Sequence, residues 1–261
     1  DVGWAMSGNY LQINRDFWDA EAPQWVAAGE KLWAADTPEW GNWGEAENKL
    51  RMLPDDMSSM EAIELGCGTG YVSGWMARRG AKITAIDVAP AQLATARRLA
   101  DAYDANITFI EGNAEQTGLP DATFDFAISE YGAAIWCPPE TWLREAWRLL
   151  RPGGRLVFLG NHPLAIICSP LDGAPCDTQL HRPYAGLRGA DWTQVEIDPH
   201  GICFNLTISG WMDLFSEIGF SVTRYQEIFA PDWADDIRGS VPAAWAKLYP
   251  VEQVWHLQKP A

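Results

Sequence analysis

The sequence predicts an α/β fold: a doubly wound, mostly parallel sheet of seven strands with helices on both faces, preceded by a helical arm and interrupted by an insertion after the fifth strand. Three observations carry this expectation. Short apolar segments alternate with helical segments of about ten residues or more, the pattern of βαβ crossovers and of a sheet covered on both faces. A glycine-rich turn follows the first strand. No internal repeat, low-complexity tract or run of like charge points to a tandem array.

Ala62 to Leu65 is the first strand, entering the glycine turn directly. Tyr71 to Arg79 then carries helical spacing and ends at Gly80, a residue suited to the left-handed position after a helix. Lys82 to Asp87 is the second strand. Pro90, well tolerated in a first helical turn, opens a helix to about Tyr103, with Leu93, Ala96, Ala100 and Tyr103 on one stripe and Leu99 beside it. Ile107 to Ile110 and Phe124 to Ser129 are the third and fourth strands. Pro139 to Leu150 is a helix stopped by Pro152, Gly153 and Gly154, and Arg155 to Gly160 is the fifth strand. From Asn161 to about Leu206 the rhythm breaks in a stretch rich in Pro, Gly, His and Asp, expected as an insertion over the sheet's edge. A helix near Ser209 to Ile218, stopped by Gly219, is followed by strands near Phe220 to Ile228 and Glu252 to Gln258, a tail that can close the sheet with an antiparallel strand.

The arm carries an excess of tryptophan. Of 15 in the chain, Trp4, Trp18, Trp25, Trp33, Trp40 and Trp43 precede residue 44. Trp25, Ala28, Leu32 and Trp33 share helical spacing, so a helix of roughly Ala22 to Ala35 is expected. Aromatic surface anchored just before the first strand can fold back over a crevice as a lid that excludes water. On that reading, removing residues 1 to 35 leaves a folded domain.

At 261 residues and 29.0 kDa the chain is long enough to bury a sizeable core without staples. Hydrophobic residues at 48% and charged residues at 21% exclude a disordered chain. Lys and Arg number 19 against 35 Asp and Glu, and the resulting net charge of −16 repels phosphate backbones and anionic lipid alike. No nucleic-acid partner is therefore expected, and no apolar run is long enough to span a bilayer. The opening segment has no basic stretch followed by an apolar one, so no signal peptide is expected. Cys67, Cys137, Cys168, Cys176 and Cys203 are odd in number and scattered, which fits a reducing cytoplasm. The sequons at Asn106 and Asn205 then occur by chance.

Chemistry is most legible at Ile63-Glu64-Leu65-Gly66-Cys67-Gly68-Thr69-Gly70-Tyr71, between a strand and a helix, where glycine permits a tight turn and close approach of a ligand to the backbone. The position suggests a nucleoside cofactor. A dinucleotide loop of the form G-x-G-x-x-G needs glycine at 71, where this chain has Tyr71; the third glycine comes one residue early. Asp87 ends the next strand, where a carboxylate can accept hydrogen bonds from both ribose hydroxyls.

At these residues the sequence resembles the class I S-adenosylmethionine-dependent methyltransferases, particularly the small-molecule branch with ubiquinone-biosynthesis enzymes. Glu64 to Gly70 matches the family's E/D-x-G-x-G-x-G signature, Asp87 its ribose acid, Glu111-Gly-Asn-Ala-Glu115 its adenine loop, and Leu150-Arg-Pro-Gly-Gly154 its turn before the fifth strand. The resemblance spans residues 61 to 160 and implies a Rossmann-like domain that binds S-adenosyl-L-methionine and releases S-adenosyl-L-homocysteine. It implies backbone contacts from Gly66, Cys67, Gly68 and Gly70 to the methionine moiety, with Glu64 beside it. Asp87 would hold the ribose, Val88, Asn113 and Ala114 would border the adenine, and Ser129 would face the methionine end. Asn113 stands where relatives usually have Asp; its amide oxygen can still accept from the adenine amino group. The whole chain then reads as one domain: arm from 1 to 60, cofactor half from 61 to 160, substrate half from 161 to 261.

Methyl transfer is an in-line displacement, helped chiefly by alignment, with a base needed for hydroxyl or ammonium acceptors. Residues just after the fourth and fifth strands are the first candidates, since open α/β sheets bind ligands at the carboxyl ends of their strands. Glu130 and His162 are the expected catalytic pair, as base or positioning groups. Tyr131 and Trp136 are candidate walls of the substrate pocket, with Tyr10, Trp18 and Trp43 from the arm and His181, Arg182 and His200 from the insertion. Cys168, Cys176 and His181 lack C-x-x-C spacing and a second ligand pair, so no metal is expected. A thiol relay through Cys137, Cys168, Cys176 and Cys203 has no further support. The expected function is methyl transfer to an oxygen, nitrogen or sulfur atom of a small molecule. Two alternatives keep the fold: a regulatory protein that senses the cofactor without turnover, and an aminopropyltransferase resembling spermidine synthases. Neither acceptor nor oligomeric state is readable.

Overall fold

The computed structural model describes residues 9–261, so Trp4 lies outside the described residues. Seven strands form the main sheet: β1 (Glu61–Leu65), β2 (Lys82–Asp87), β3 (Ile107–Glu111), β4 (Phe124–Glu130), β5 (Leu150–Asn161), β6 (Ser221–Ile228) and β7 (Glu252–Gln258). Their spatial order is β6-β7-β5-β4-β1-β2-β3. β7 runs antiparallel to both neighbours, and the other adjacent pairs are parallel. The chain builds outward from β1 to β3 and then returns to place β4 on the other side of β1. That reversal opens a crevice at the carboxyl ends of β1 and β4, where open sheets bind ligands.

Seven helices frame the sheet: α1 (Tyr10–Ala34), α2 (Tyr71–Arg78), α3 (Pro90–Ala102), α4 (Ala133–Trp136), α5 (Pro139–Leu149), α6 (Pro163–Cys168) and α7 (Ile208–Ile218). Trp142, Leu149, Trp211 and Phe215 from α5 and α7 bury one face against Phe158 and Trp255. Val72, Trp75, Met76 and Leu93 cover the other face over Ala85, Ile128 and Val157. The doubly wound architecture follows from strands that are apolar on both faces.

Two expectations need correction. The arm's helix begins at Tyr10, not near Ala22, and runs through Pro23. Proline inside a helix forfeits a hydrogen bond and ordinarily breaks it. Here both halves are fixed by distant partners: Asp19 Oδ1 accepts the Ala91 N–H at 2.8 Å, and Trp33 Nε1 donates to the Thr69 carbonyl at 2.8 Å. The strand expected at Arg155 begins at Leu150, because the chain before Pro152 is already extended and Leu150 pairs with Phe124 across a register shift. The insertion expected over the sheet's edge carries structure of its own. Its short hairpin, Gly189–Asp191 with Ile202–Phe204, packs Ala190, Trp192 and Cys203 into a cluster with α6, Trp43 and Trp245.

Candidate functional site

The floor of the crevice is the turn from β1 into α2. Gly66 and Gly68 have φ of +80° and +50°, in the left-handed region that favours glycine. The Gly66 and Cys67 amides both donate to the Ile86 carbonyl, at 2.9 and 3.0 Å. Asp87 locks the turn from the other side: Oδ2 accepts the Gly68 N–H at 2.7 Å and Oδ1 the Ala89 N–H at 2.9 Å. Nothing lies within 4 Å of the place a Cβ on Gly68 would occupy, so its backbone faces open space. Gly66 is pressed against the exit of β4, where a Cβ would lie 2.6 Å from Gly132 Cα.

A cavity of about 330 Å³ sits on this floor. Of the residues expected at the cofactor, Glu64, Gly66, Cys67, Gly68, Asp87, Val88 and Ala114 line it. At its other end are Glu130, Tyr131 and Trp136, with Trp18 and Trp25 leaning in from α1. Trp18 meets Trp136 edge to face at 5.2 Å and Trp25 at 5.7 Å. Tyr131 holds φ of +53°, an uncommon conformation for a bulky residue, and its hydroxyl is buried without a partner.

The remaining expected residues lie elsewhere. Gly70 caps α2 behind the loop, facing Ala96 and Phe109. Asn113 borders an adjoining depression with Arg15 and Glu111, and its Oδ1 accepts the Glu115 N–H at 3.0 Å. The Ser129 hydroxyl, fully buried, donates to the Leu65 carbonyl and accepts from the Ala134 amide. His162 does not line the cavity. Its Nδ1 accepts the Leu164 N–H at the start of α6, its Nε2 lies 3.3 Å from Glu227 Oε1, and burial pushes it down to about 4. It is a helix cap that stays neutral at pH 7, and β5 continues past the expected Gly160 to carry it away from the crevice. The Tyr10 hydroxyl donates to the Glu115 carboxylate, and Trp43 Nε1 to Asp236 at 2.9 Å. His181 pairs with Asp177 at 2.9 Å. Arg182 gives its guanidinium to the Ile166 and Ser169 carbonyls and covers the Trp192 ring. His200 does not line the cavity; it stacks on Trp192 at 5.3 Å and meets the rings of Trp136 and Phe17. The insertion's polar residues thus stabilise the wall instead of lining it.

Several lining residues carry no local sequence signal. Asn14 of α1 is buried, donating to the Trp136 and Ile202 carbonyls and accepting the Ile202 N–H at 2.8 Å, so one side chain fastens the arm over the crevice. Asn42 and Gly239 meet from two short ribbons, with Arg238 donating to the Asn42 carbonyl at 2.9 Å. Tyr71, the residue that breaks the dinucleotide pattern, lines the cavity and donates its hydroxyl to Glu130.

The acids of this region are destabilised by burial. Glu64, bonded by Ser73, is pushed up to about 8; Glu130 and Asp87 are also raised, each chiefly by desolvation. Glu252 at the start of β7 is likewise pushed up to about 8 by burial, with Glu130 adding repulsion; one oxygen accepts the Asn42 N–H at 2.9 Å and the other has no partner. A carboxyl raised in the folded state above about 4.5 contributes stability that is complete below that value and lost as pH climbs toward 8. Glu252→Gln keeps an oxygen for Asn42 and cannot ionise. It is expected to match the parent at pH 5 and exceed it by up to about 4 kcal/mol at pH 9. Thermal unfolding at both pH values checks this; an equal loss at each would refute it.

Residues 63–158 match the family described as methyltransferase domain. A malonyl-(acyl-carrier protein) O-methyltransferase of Serratia marcescens is 37% identical over 99 residues, 38% of this chain and 37% of that protein. A demethylmenaquinone methyltransferase of Thermus thermophilus is 37% identical over 103 residues, 39% of this chain and 47% of that protein. The chain therefore spans less than half the length of both relatives. A solved S-adenosylmethionine-dependent methyltransferase of Mesorhizobium loti shares the fold, with a TM-score of 0.62, 23% identity, and coverage of 81% of this chain and 96% of that one.

Proposed function

Starting from the methyltransferase domain that residues 63–158 match, we propose that the protein is an S-adenosylmethionine-dependent enzyme that methylates an oxygen, nitrogen or sulfur atom of a small molecule. The observation that carries this reading is Asp87, whose carboxylate lines the cavity while bracing the Gly68 amide beside open space. The residues fit the cofactor. Asp87 holds the ribose, the Gly66 to Gly68 backbone holds the methionine moiety, and Val88 and Ala114 border the adenine. Once bound, S-adenosylmethionine supplies an electrophilic methyl carbon. Glu130, in line with the exit of β4, orients the acceptor and receives its proton where one must leave. Trp18, Trp25 and Trp136 exclude water and grip an apolar body.

The net charge of −16 supports a small-molecule acceptor over a nucleic acid. No helix among the described residues is long and apolar enough to cross a membrane. The five cysteines, all free and buried, support a reducing, cytoplasmic compartment. The regulatory and aminopropyl alternatives draw no separate support from the crevice.

Calorimetry with S-adenosylhomocysteine tests the reading. Wild-type protein is expected to bind, and Asp87→Ala to bind at least about tenfold more weakly, since it loses two charge-assisted ribose bonds and the brace on Gly68. Wild-type protein with no affinity for this ligand would sink the proposal.

A further inference from the structure

Carboxylates and aromatic rings line the crevice without a single Lys, Arg or His among the described lining residues, and from this we infer that the methyl acceptor is an amine: a small molecule with an apolar or aromatic body and a basic nitrogen seated at Glu130. The inference rests on the methyltransferase reading of this crevice. Residues 1 to 8 contain no basic side chain either.

The three lining acids are unequally committed. Asp87 is bound by the Gly68 and Ala89 amides and Glu64 by Ser73. Glu130 receives only the Tyr71 hydroxyl and a long 3.4 Å contact from the Gly41 amide. A carboxylate offers about four acceptor sites, so Glu130 can take further donors from a ligand. Behind it, across the Gly41–Asn42 turn, stands Glu252, buried and with one oxygen unpartnered. Glu252 thus places a second carboxyl at this end of the cavity, and no cation among the lining residues offsets Glu130. An acceptor bearing a carboxylate or phosphate would be desolvated beside these acids with no counter-charge, whereas an ammonium meets the charge it needs. Trp18, Trp25 and Trp136 offer ring faces that favour cations as well as flat apolar bodies.

The chemistry balances. The acceptor enters as an ammonium and gives one proton to Glu130, whose burial favours the neutral acid. The freed nitrogen lone pair forms the bond to the methyl carbon as the carbon–sulfur bond breaks, its electron pair remaining on sulfur. The methylated amine leaves as a cation, and the proton on Glu130 passes to water, one proton released per methyl transferred.

The test is calorimetry on protein saturated with S-adenosylhomocysteine, titrated with benzylamine, phenethylamine and tryptamine, each beside the alcohol and the carboxylate of the same skeleton. At least one amine is expected to bind tenfold or more tightly than its alcohol, about the effect of one charge-assisted hydrogen bond, and the carboxylates not to bind. Glu130→Gln is expected to bring the amine down to its alcohol, and Tyr71→Phe to move it part of the way, both with S-adenosylhomocysteine binding retained as the control for folding. A carboxylate that binds as well as its amine, an amine preference that survives Glu130→Gln, or loaded protein that binds none of the amines would each overturn the inference while leaving the methyltransferase reading intact. Failure to bind S-adenosylhomocysteine would instead remove that reading.

Discussion

Gly132→Ala is expected to abolish S-adenosylhomocysteine binding and to lower stability by more than about 3 kcal/mol. A Cβ on Gly132 would stand 2.3 Å from the Gly66 carbonyl oxygen and 2.5 Å from that of Leu65. Both are backbone atoms, so no flexible side chain can swing aside. The exits of β1 and β4 touch backbone to backbone at this point, and Ser129 fastens the junction by bridging the Leu65 carbonyl and the Ala134 amide. Parting them moves the glycine turn and the Glu130–Tyr131 segment together. Urea unfolding and calorimetry check the expectation; wild-type affinity in the variant would mean that the loops separate without consequence.

Trp33→Ala is expected to cost about 3–5 kcal/mol, the usual range for emptying a buried aromatic site. The ring is 1% exposed, and it lies so close to Gly74 that a Cβ there would fall 2.6 Å from it. Its N–H holds the Thr69 carbonyl inside the glycine turn. The neighbouring backbone is equally engaged: Trp75 Nε1 donates to the Leu32 carbonyl at 3.0 Å, and Arg78 to the carbonyls of Trp33 and Ala35. This conflicts with the expectation that residues 1 to 35 can be removed from a folded domain. The first half of α1 roofs the crevice, and the second half is part of the core beneath it. Trp33→Phe, which keeps a ring and loses only the hydrogen bond, should recover most of the loss in denaturant titrations. A full-length Trp33→Ala protein as stable as its parent would return the arm to the status of a detachable lid.

What could be read from sequence was what is local in sequence. β2 and β7 have the expected bounds because Lys82 to Asp87 and Glu252 to Gln258 carry their apolar pattern with turn residues on either side. The glycine turn was legible because its left-handed backbone demands glycine at fixed spacing, and Asp87 because it ends the next strand. Asn14 left no such trace: its partners are 122 and 188 residues away, and an asparagine within a helix announces nothing. The start of α1 was missed because the spacing of Trp25, Ala28, Leu32 and Trp33 marks only its second half, while a distant partner holds the first. His162 shows the limit of position alone. Following the fifth strand, it has the address of a catalytic base, yet its ring is spent on capping α6.

The placement of β7 has a consequence for the order of assembly. β6 lies at the sheet's edge and pairs only with β7, while β7 lies between β6 and β5. The strand synthesised later is therefore the inner one. Until Glu252 to Gln258 emerges from the ribosome, β5 offers an open edge and β6 has no sheet to join, since the 23 residues 229–251 separate β6 from β7. The pairing of β7 with β5 is long-range, and until it forms both edge strands stay exposed to wrong partners. The same event delivers Glu252 behind Glu130, so the second buried carboxyl at this end of the crevice arrives only when the sheet closes.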